Sequence, residues 1–153
     1  MELEAVKKLL EKGEENAEAM EKLPPRFFER LVMKGLRVDL IQPGRLLCSF
    51  TVPSRLLNAG NFLHGGATAT MVDLVGSAVI YTLGARTTTG VSVEINVSYL
   101  DAAYAGEEIE VEAKALRVGK AIGVVSVELR KKKTGKIIAQ GRHTKYLAVS
   151  SKL

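Results

Sequence analysis

At 153 residues, 46% hydrophobic and 25% charged, the chain is expected to form one soluble domain with a substantial core, neither disordered nor fibrous. Its net charge of +5 is uneven: residues 1–22 hold seven acids and four bases, net −3, leaving a body of +8 that suits an anionic partner. The single cysteine excludes an internal disulfide and fits a reducing compartment, no uninterrupted apolar stretch is long enough to span a membrane, and 5% aromatics without a recognition motif argue against nucleic acid.

Residues 3–21 read as an amphipathic helical stretch with Leu3, Val6, Leu9 and Leu10 on one side; it lacks the apolar core of a secretory signal, and its many acids argue against a transit peptide. Pro24-Pro25 ends it, and Pro25 suits the first turn of a short helix through Arg26–Met33. Two strands follow, Leu36–Ile41 and Arg45–Val52, joined at Gln42-Pro43-Gly44. Cys48 alternates with Leu46, Phe50 and Val52 and is expected to be a small core residue. Pro53 to Phe62 reads as a loop.

His64-Gly65-Gly66 then opens a stretch, Gly66–Tyr81, that is small or aliphatic nearly all round and is read as a buried helix reaching to about Leu83. The paired glycines remove the Cβ atoms that would keep a ligand from the first free backbone N–H groups. Those donors can hold an anion or a polarised carbonyl oxygen. Asp73 is the only charge in the stretch, and a carboxylate there is costly unless paired or used. Donors at a helix mouth and a lone acid within the helix are the parts of an acyl-transfer site.

Eight residues separate Gly65 from Asp73, roughly 12 Å at about 1.5 Å per residue. No Asp side chain closes that gap to the contact that general-base or nucleophilic chemistry requires. If both groups act on one carbonyl, they come from different copies of the chain. The other reading is that Asp73 faces solvent or caps a neighbouring loop.

Beyond Gly84–Gly90 the pattern alternates as strands do, over Val91–Leu100, Ile109–Arg117, Ile122–Arg130 and Lys136–Leu147. Arg117-Val118-Gly119-Lys120 and Lys133-Thr134-Gly135-Lys136 are the expected hairpin turns. A strand pair, one long buried helix and four long antiparallel strands imply a sheet curled round the helix. Two histidines and one cysteine, far apart, make no metal-ligand set. Ser151-Lys152-Leu153 matches a receptor-read peroxisomal address.

Asn58, the run HGGATATMVD, the strand GVSVEINVSYL and the segment ALRVGKAIGVVSVELRKKKTGKIIAQGRHTKY together resemble the hotdog-fold acyl-CoA thioesterases of the phenylacetate-type branch. The resemblance covers roughly residues 27–146. It implies an α+β hotdog fold: a curled antiparallel sheet of about six strands wrapped round one long central helix. The domains are then residues 1–25, a charged N-terminal helical extension; 26–148, the hotdog domain; and 149–153, an exposed tail with the peroxisomal address. It further implies hydrolysis of acyl-CoA to free acid and CoA at a site between two subunits, without a cofactor, in a dimer or a tetramer of two dimers.

Residue by residue, the resemblance makes Asp73 the acid that activates water or attacks directly, and the Gly65 N–H the group that polarises the thioester carbonyl. Asn58 would position water or thioester, His64 would shape the same corner, and Ser92 would assist near the acid, although the preceding loop is one residue longer here. Contacts with CoA map onto Arg117, Val118, Gly119, Lys120, Ala121 and Ile122, with Glu94, Tyr99 and Tyr146 nearby. Structural readings stand beside these: His64 as a helix cap, Asn58 as a loop residue, Gly66 and Gly76 as packing glycines. Ala69, Thr70, Asp73, Gly76 and Ser77 would form one stripe of mostly small residues facing another backbone. Arg142 and His143 are expected on a sheet face without a chemical role.

Fatty acyl-CoA of medium to long chain is the expected substrate, because related enzymes for aromatic acyl groups often carry Glu at the position of Asp73. The alternatives are an aromatic acyl-CoA thioesterase of the hydroxynaphthoyl- or phenylacetyl-CoA type, or a non-catalytic acyl-CoA-binding module. The expected location is the peroxisome, where the import receptor would be a further partner, with the cytoplasm as the alternative.

Overall fold

The computed structural model describes residues 2–12, 16–84 and 88–148, so Ser151-Lys152-Leu153 lies outside the described residues. The chain forms two compact units, Met1–Leu31 and Val32–Leu153. In the first, α1 (Leu3–Leu10) and α2 (Ala17–Glu21) replace the single expected stretch. Gly13 and Asn16 stand between them in the sequence, and both are poor helix formers. α3 (Phe27–Met33) begins after Arg26, whose φ of 63° is left-handed, so Pro25 does not provide its first turn.

The second unit is built on six antiparallel strands in the order β1-β2-β4-β5-β6-β3. They are β1 (Arg37–Gln42), β2 (Arg45–Thr51), β3 (Val91–Tyr99), β4 (Glu108–Val118), β5 (Ile122–Lys131) and β6 (Ile137–Tyr146). α4 (Gly65–Tyr81) lies in the curl of the sheet. All four long strands fall within about two residues of the expected bounds. The hotdog fold is the observed one.

The core is apolar and continuous. Met71, Val72, Val75 and Val79 of α4 meet Cys48 and Phe50 of β2, Val111 of β4, and Val125, Val127 and Leu129 of β5. Gly76 is a packing glycine: a Cβ there would lie 3.0 Å from Val125 and 3.1 Å from Val127. Its place against β5 takes it out of the expected small-residue stripe. The other four members of that stripe, Ala69, Thr70, Asp73 and Ser77, are each half-buried, as is Leu74 beside them. Burial raises the Cys48 thiol to about 11, with the charge of Asp39 adding to it, which leaves it an inert core residue.

On the outer face a cluster of charges ties β2, β4 and β5 together. Arg130 meets Glu110, Glu112 and Glu128, and Arg45 meets Glu112 at 2.6 Å. Burial alone would raise the Glu112 carboxyl, but hydrogen bonds from Arg130 and Arg45 and the charges of Lys114 and Arg130 bring it down to about 2.

β3 is one edge of the sheet. Among the described residues it pairs with β6 only, so its other side has no ladder partner there, and Val91, Val93, Ile95 and Tyr99 are exposed along it. A nine-residue edge strand with four exposed apolar or aromatic side chains invites pairing with another strand.

Candidate active site

The helix mouth is built by a tight loop. Asn58 Oδ1 accepts the N–H groups of Gly60 (2.9 Å) and Phe62 (3.3 Å), and an isolated bridge ties Leu57 to Leu63. The expected loop role of Asn58 is therefore present. Its Nδ2 makes no hydrogen bond among the described residues and is the group left for a ligand.

His64 is the N-cap of α4. Its extended backbone (φ −62°, ψ 132°) turns the chain into the helix, and its Nδ1 accepts the Gly66 N–H at 2.8 Å. A nitrogen that accepts carries no proton, so the ring proton sits on Nε2. The His64 carbonyl accepts the N–H groups of Ala67 (2.9 Å) and Thr68 (3.1 Å). Of the first four donors of α4, three are thus engaged within the protein. Only the Gly65 N–H has no partner among the described residues, and the helix dipole stands behind it.

Tyr99, at the end of β3, reaches across to donate from its hydroxyl to Gly65 O at 2.8 Å. Its ring occupies the approach to Gly65, where a Cβ would lie 3.3 Å from it. Asn58, Leu63, Gly65, Tyr99 and Ile138 line a largely apolar hollow of about 250 Å³ beside the mouth.

Asp73, two turns along the helix, has different neighbours. Its Oδ1 is 3.5 Å from Ser77 Oγ and 3.8 Å from Nδ1 of His143, and its side chain keeps 41% of its surface exposed. His143 is fully buried, and its Nε2 lies 2.7 Å from Ser92 Oγ. Lys145 is buried too: its Nζ donates to Ser77 Oγ (2.7 Å) and Thr89 Oγ1 (3.1 Å). Burial pushes the His143 ring below its ordinary 6.5; the Asp73 charge opposes this and Lys145 adds to it. Burial likewise lowers the Lys145 ammonium, against the pull of Asp73. His143 is therefore neutral at pH 7.

Ser92 meets Asp73 only through His143, so the expected assistance runs along a line Asp73–His143–Ser92. Nδ1 of His143 is the one buried side-chain polar atom without a hydrogen bond among the described residues. With the neutral ring's proton on Nδ1, that nitrogen faces Asp73 and Nε2 accepts the Ser92 hydroxyl. Asp73 then has a polar wall on one side and open space on the other. Such a carboxylate can take a proton from water or attack a carbonyl.

The sequence missed His143 and Lys145. The signal was available: in β6 they share parity with Ala139 and Gly141, both buried, and so point inward while Arg142 points out. Two ionisable groups in the core phase of a strand mark a site.

The expected CoA contacts divide. Arg117, Val118, Gly119, Lys120, Ala121 and Ile122 form the β4–β5 turn, closed by Gly119 N–H to Ile122 O at 2.8 Å, beside an open hollow of about 450 Å³. Tyr146 is cross-strand from Ile122 and also from Val91. Glu94 is exposed on β3, accepting from Asn96 Nδ2 at 3.0 Å. Tyr99 sits elsewhere, at the helix mouth. From Val91, beside Tyr146, to Tyr99 is eight residues of strand, roughly 26 Å at about 3.3 Å each. One copy of the chain therefore keeps the turn at the far end of β3 from its own helix mouth.

The family model of the thioesterase superfamily matches residues 60–138. Acyl-coenzyme A thioesterase 13 of Homo sapiens is 43% identical over 122 residues, covering 80% of this chain and 86% of that protein; the Mus musculus protein of the same name is 42% identical over 120 residues. Among solved structures, zebra fish thioesterase superfamily member 2 is 37% identical with a TM-score of 0.75, over 88% of this chain and 94% of that one. The Escherichia coli PaaI protein, at 21% identity and a TM-score of 0.68, shares the fold.

Proposed function

The chain belongs to the thioesterase superfamily, and from that premise we propose that it hydrolyses fatty acyl-CoA thioesters at a site completed by a second copy of itself. The observation that carries the reading lies in α4. Its one unengaged mouth donor, the Gly65 N–H, and its one carboxylate, Asp73, are held about 12 Å apart by a continuous helix. Each is half of an acyl-transfer site.

The edge strand supplies the means of bringing the halves together. If β3 pairs antiparallel with the β3 of a second copy about Ile95, a two-fold axis sets the Tyr99 end of one against the Val91 end of the other. The Gly65 mouth of one copy then approaches Asp73, Ser92 and the 117–122 turn of its partner. The arrangement also covers the apolar edge and the half-buried Thr70-Asp73-Ser77 face of α4.

In the reaction, the thioester carbonyl oxygen accepts the Gly65 N–H, with the Asn58 Nδ2 nearby. Asp73 of the other copy takes a proton from water as the water oxygen attacks the carbonyl carbon. Charge gathers on the carbonyl oxygen, where the helix mouth stabilises it. The intermediate collapses, the C–S bond breaks, and the CoA thiolate leaves and is protonated at the expense of Asp73. His143, neutral and buried, orients Ser92 and flanks the carboxylate. Arg117 and Lys120 with the backbone of their turn meet the CoA phosphates. Asp rather than Glu on the helix favours fatty over aromatic acyl groups, and the named activity of the relatives at 42–43% identity supports CoA as the leaving group.

Thiol release from a panel of acyl-CoAs, short to long and aromatic, tests the reading. Turnover of fatty acyl-CoA that collapses in Asp73→Asn is expected. No turnover of any thioester, with CoA binding retained, would replace the enzyme by an acyl-CoA-binding module.

A further inference from the structure

Two consecutive glycines have the greatest backbone freedom of any dipeptide, yet the reaction proposed above needs one of their N–H groups in a fixed direction. The surroundings of Gly65 resolve this conflict. The Gly65–Gly66 peptide is held at both edges by side chains: its carbonyl accepts the Tyr99 hydroxyl at 2.8 Å, and its N–H donates to His64 Nδ1 at 2.8 Å. The preceding peptide, which carries the Gly65 N–H, is held from its carbonyl side by Ala67 and Thr68. Rotation about the Gly65 backbone would break one or another of these four bonds.

Tyr99 is the one member of this set that comes from outside the helix and its cap. It stands on β3, 34 residues away in sequence, with its ring against Gly65 and more than half of its surface exposed. A residue there only for packing would not need the hydroxyl, and one there only to touch ligand would not have the hydroxyl turned inward onto the backbone. Because β3 is also the edge strand of the proposed dimer, the bond couples the seam between copies to the helix mouth.

We infer that Tyr99 is a positioning residue, whose hydroxyl holds Gly65 O and thereby aims the Gly65 N–H at the thioester oxygen. The inference rests on the thioesterase reading above, and it assigns Tyr99 a role separate from contact with CoA. A displacement of about 1 Å at a reacting group can cost about a hundredfold, so a modest loosening of this peptide is measurable in kcat.

The test is a double-mutant cycle of Tyr99→Phe with Gly65→Pro, which deletes the donor N–H itself. Tyr99→Phe keeps the ring and, at an exposed position, the fold; melting temperature checks this. Alone, it is expected to lower kcat on a fatty acyl-CoA about tenfold with KM within about twofold. In the Gly65→Pro background it is expected to cause no further loss, because no donor remains to be aimed. Unchanged kcat, a raised KM with normal kcat, or a full tenfold loss in both backgrounds would overturn the inference. Absence of wild-type turnover would instead defeat the thioesterase reading. The clamp is then read from the backbone amide resonances of Gly65 and Gly66 in the free protein, which Tyr99→Phe should move and whose constancy would refute it.

Discussion

Oδ1 of Asp73 lies 3.8 Å from Nδ1 of His143, a ring with no solvent-exposed surface whose other nitrogen is 2.7 Å from the Ser92 hydroxyl. The charged member of this line is half open and the neutral member is closed, which keeps the carboxylate available while fixing what stands behind it.

That burial has a pH signature. The unfolded ring titrates near 6.5 and the folded ring below it, so between these values the unfolded chain binds more protons. Stability therefore rises with pH across that window and is fully present above 6.5. His143→Asn should lose less melting temperature than wild type on going from about pH 7.5 to about pH 5. Identical pH slopes in the two proteins would contradict the buried, neutral ring faced by Asp73, Lys145 and Ser92.

Gly65→Pro should fold and fail. Proline is at home in the first helical position, and His64 already has the extended backbone that precedes a proline. The ring of Tyr99, 3.3 Å from the new Cβ, must give by a few tenths of an ångström. What is removed is the donor, and kcat should drop by about a hundred- to a thousandfold. Steady-state kinetics beside a melting curve separates this from unfolding.

Glu112→Gln should do the reverse and spare activity. The Glu112 side chain is 8% exposed and neutralises Arg130 and Arg45, which keep their charges when it is replaced. Breaking a pair of this kind costs about 2–3 kcal/mol once the partial exposure of Arg45 is allowed for. Urea unfolding at neutral pH reads the loss, with kcat unchanged. Because the Glu112 carboxyl is held down to about 2, its stabilisation is present above 4.5 and disappears as pH falls towards 2. The variant's deficit should shrink over that range.

Ile95→Lys places a charge at the centre of the β3 edge, where Ile95 faces His143 across the ladder. Sedimentation should show dissociation to monomers, and thiol release should vanish with it although Asp73 and Gly65 are intact. A fully active monomer would contradict the shared site.

The fold was legible because its signals are long. The alternation from Val91 onward and the apolar run after Gly65 each extend over whole elements, so their bounds fell within about two residues. Short features were harder. The N-terminal stretch resolves into two helices, Leu3–Leu10 and Ala17–Glu21, and Arg26 takes a left-handed backbone where the proline pair suggested a helix start. The site was half legible. Gly65 and Asp73 stand out in a nearly uncharged helix, but the side-chain partners of both depend on tertiary contacts from β3 and β6. His143 and Lys145 could be found only by following inward parity along β6 past Gly141, where two ionisable side chains are the exception to an apolar face. The bond from the Tyr99 hydroxyl to Gly65 O was not legible, because nothing local in the sequence shows it.

The most direct measurement mixes two inactive proteins. Asp73→Asn lacks the acid and Gly65→Pro lacks the donor, so neither homodimer has a complete site. Unfolded and refolded together in equal amounts, half of the dimers should be mixed, and each of these has one site with Gly65 from one chain and Asp73 from the other. Recovery of about a quarter of wild-type activity is the result the shared site predicts. Activity that stays at the level of the separate variants, in a mixture shown to contain mixed dimers, would place donor and acid within one chain and contradict the account.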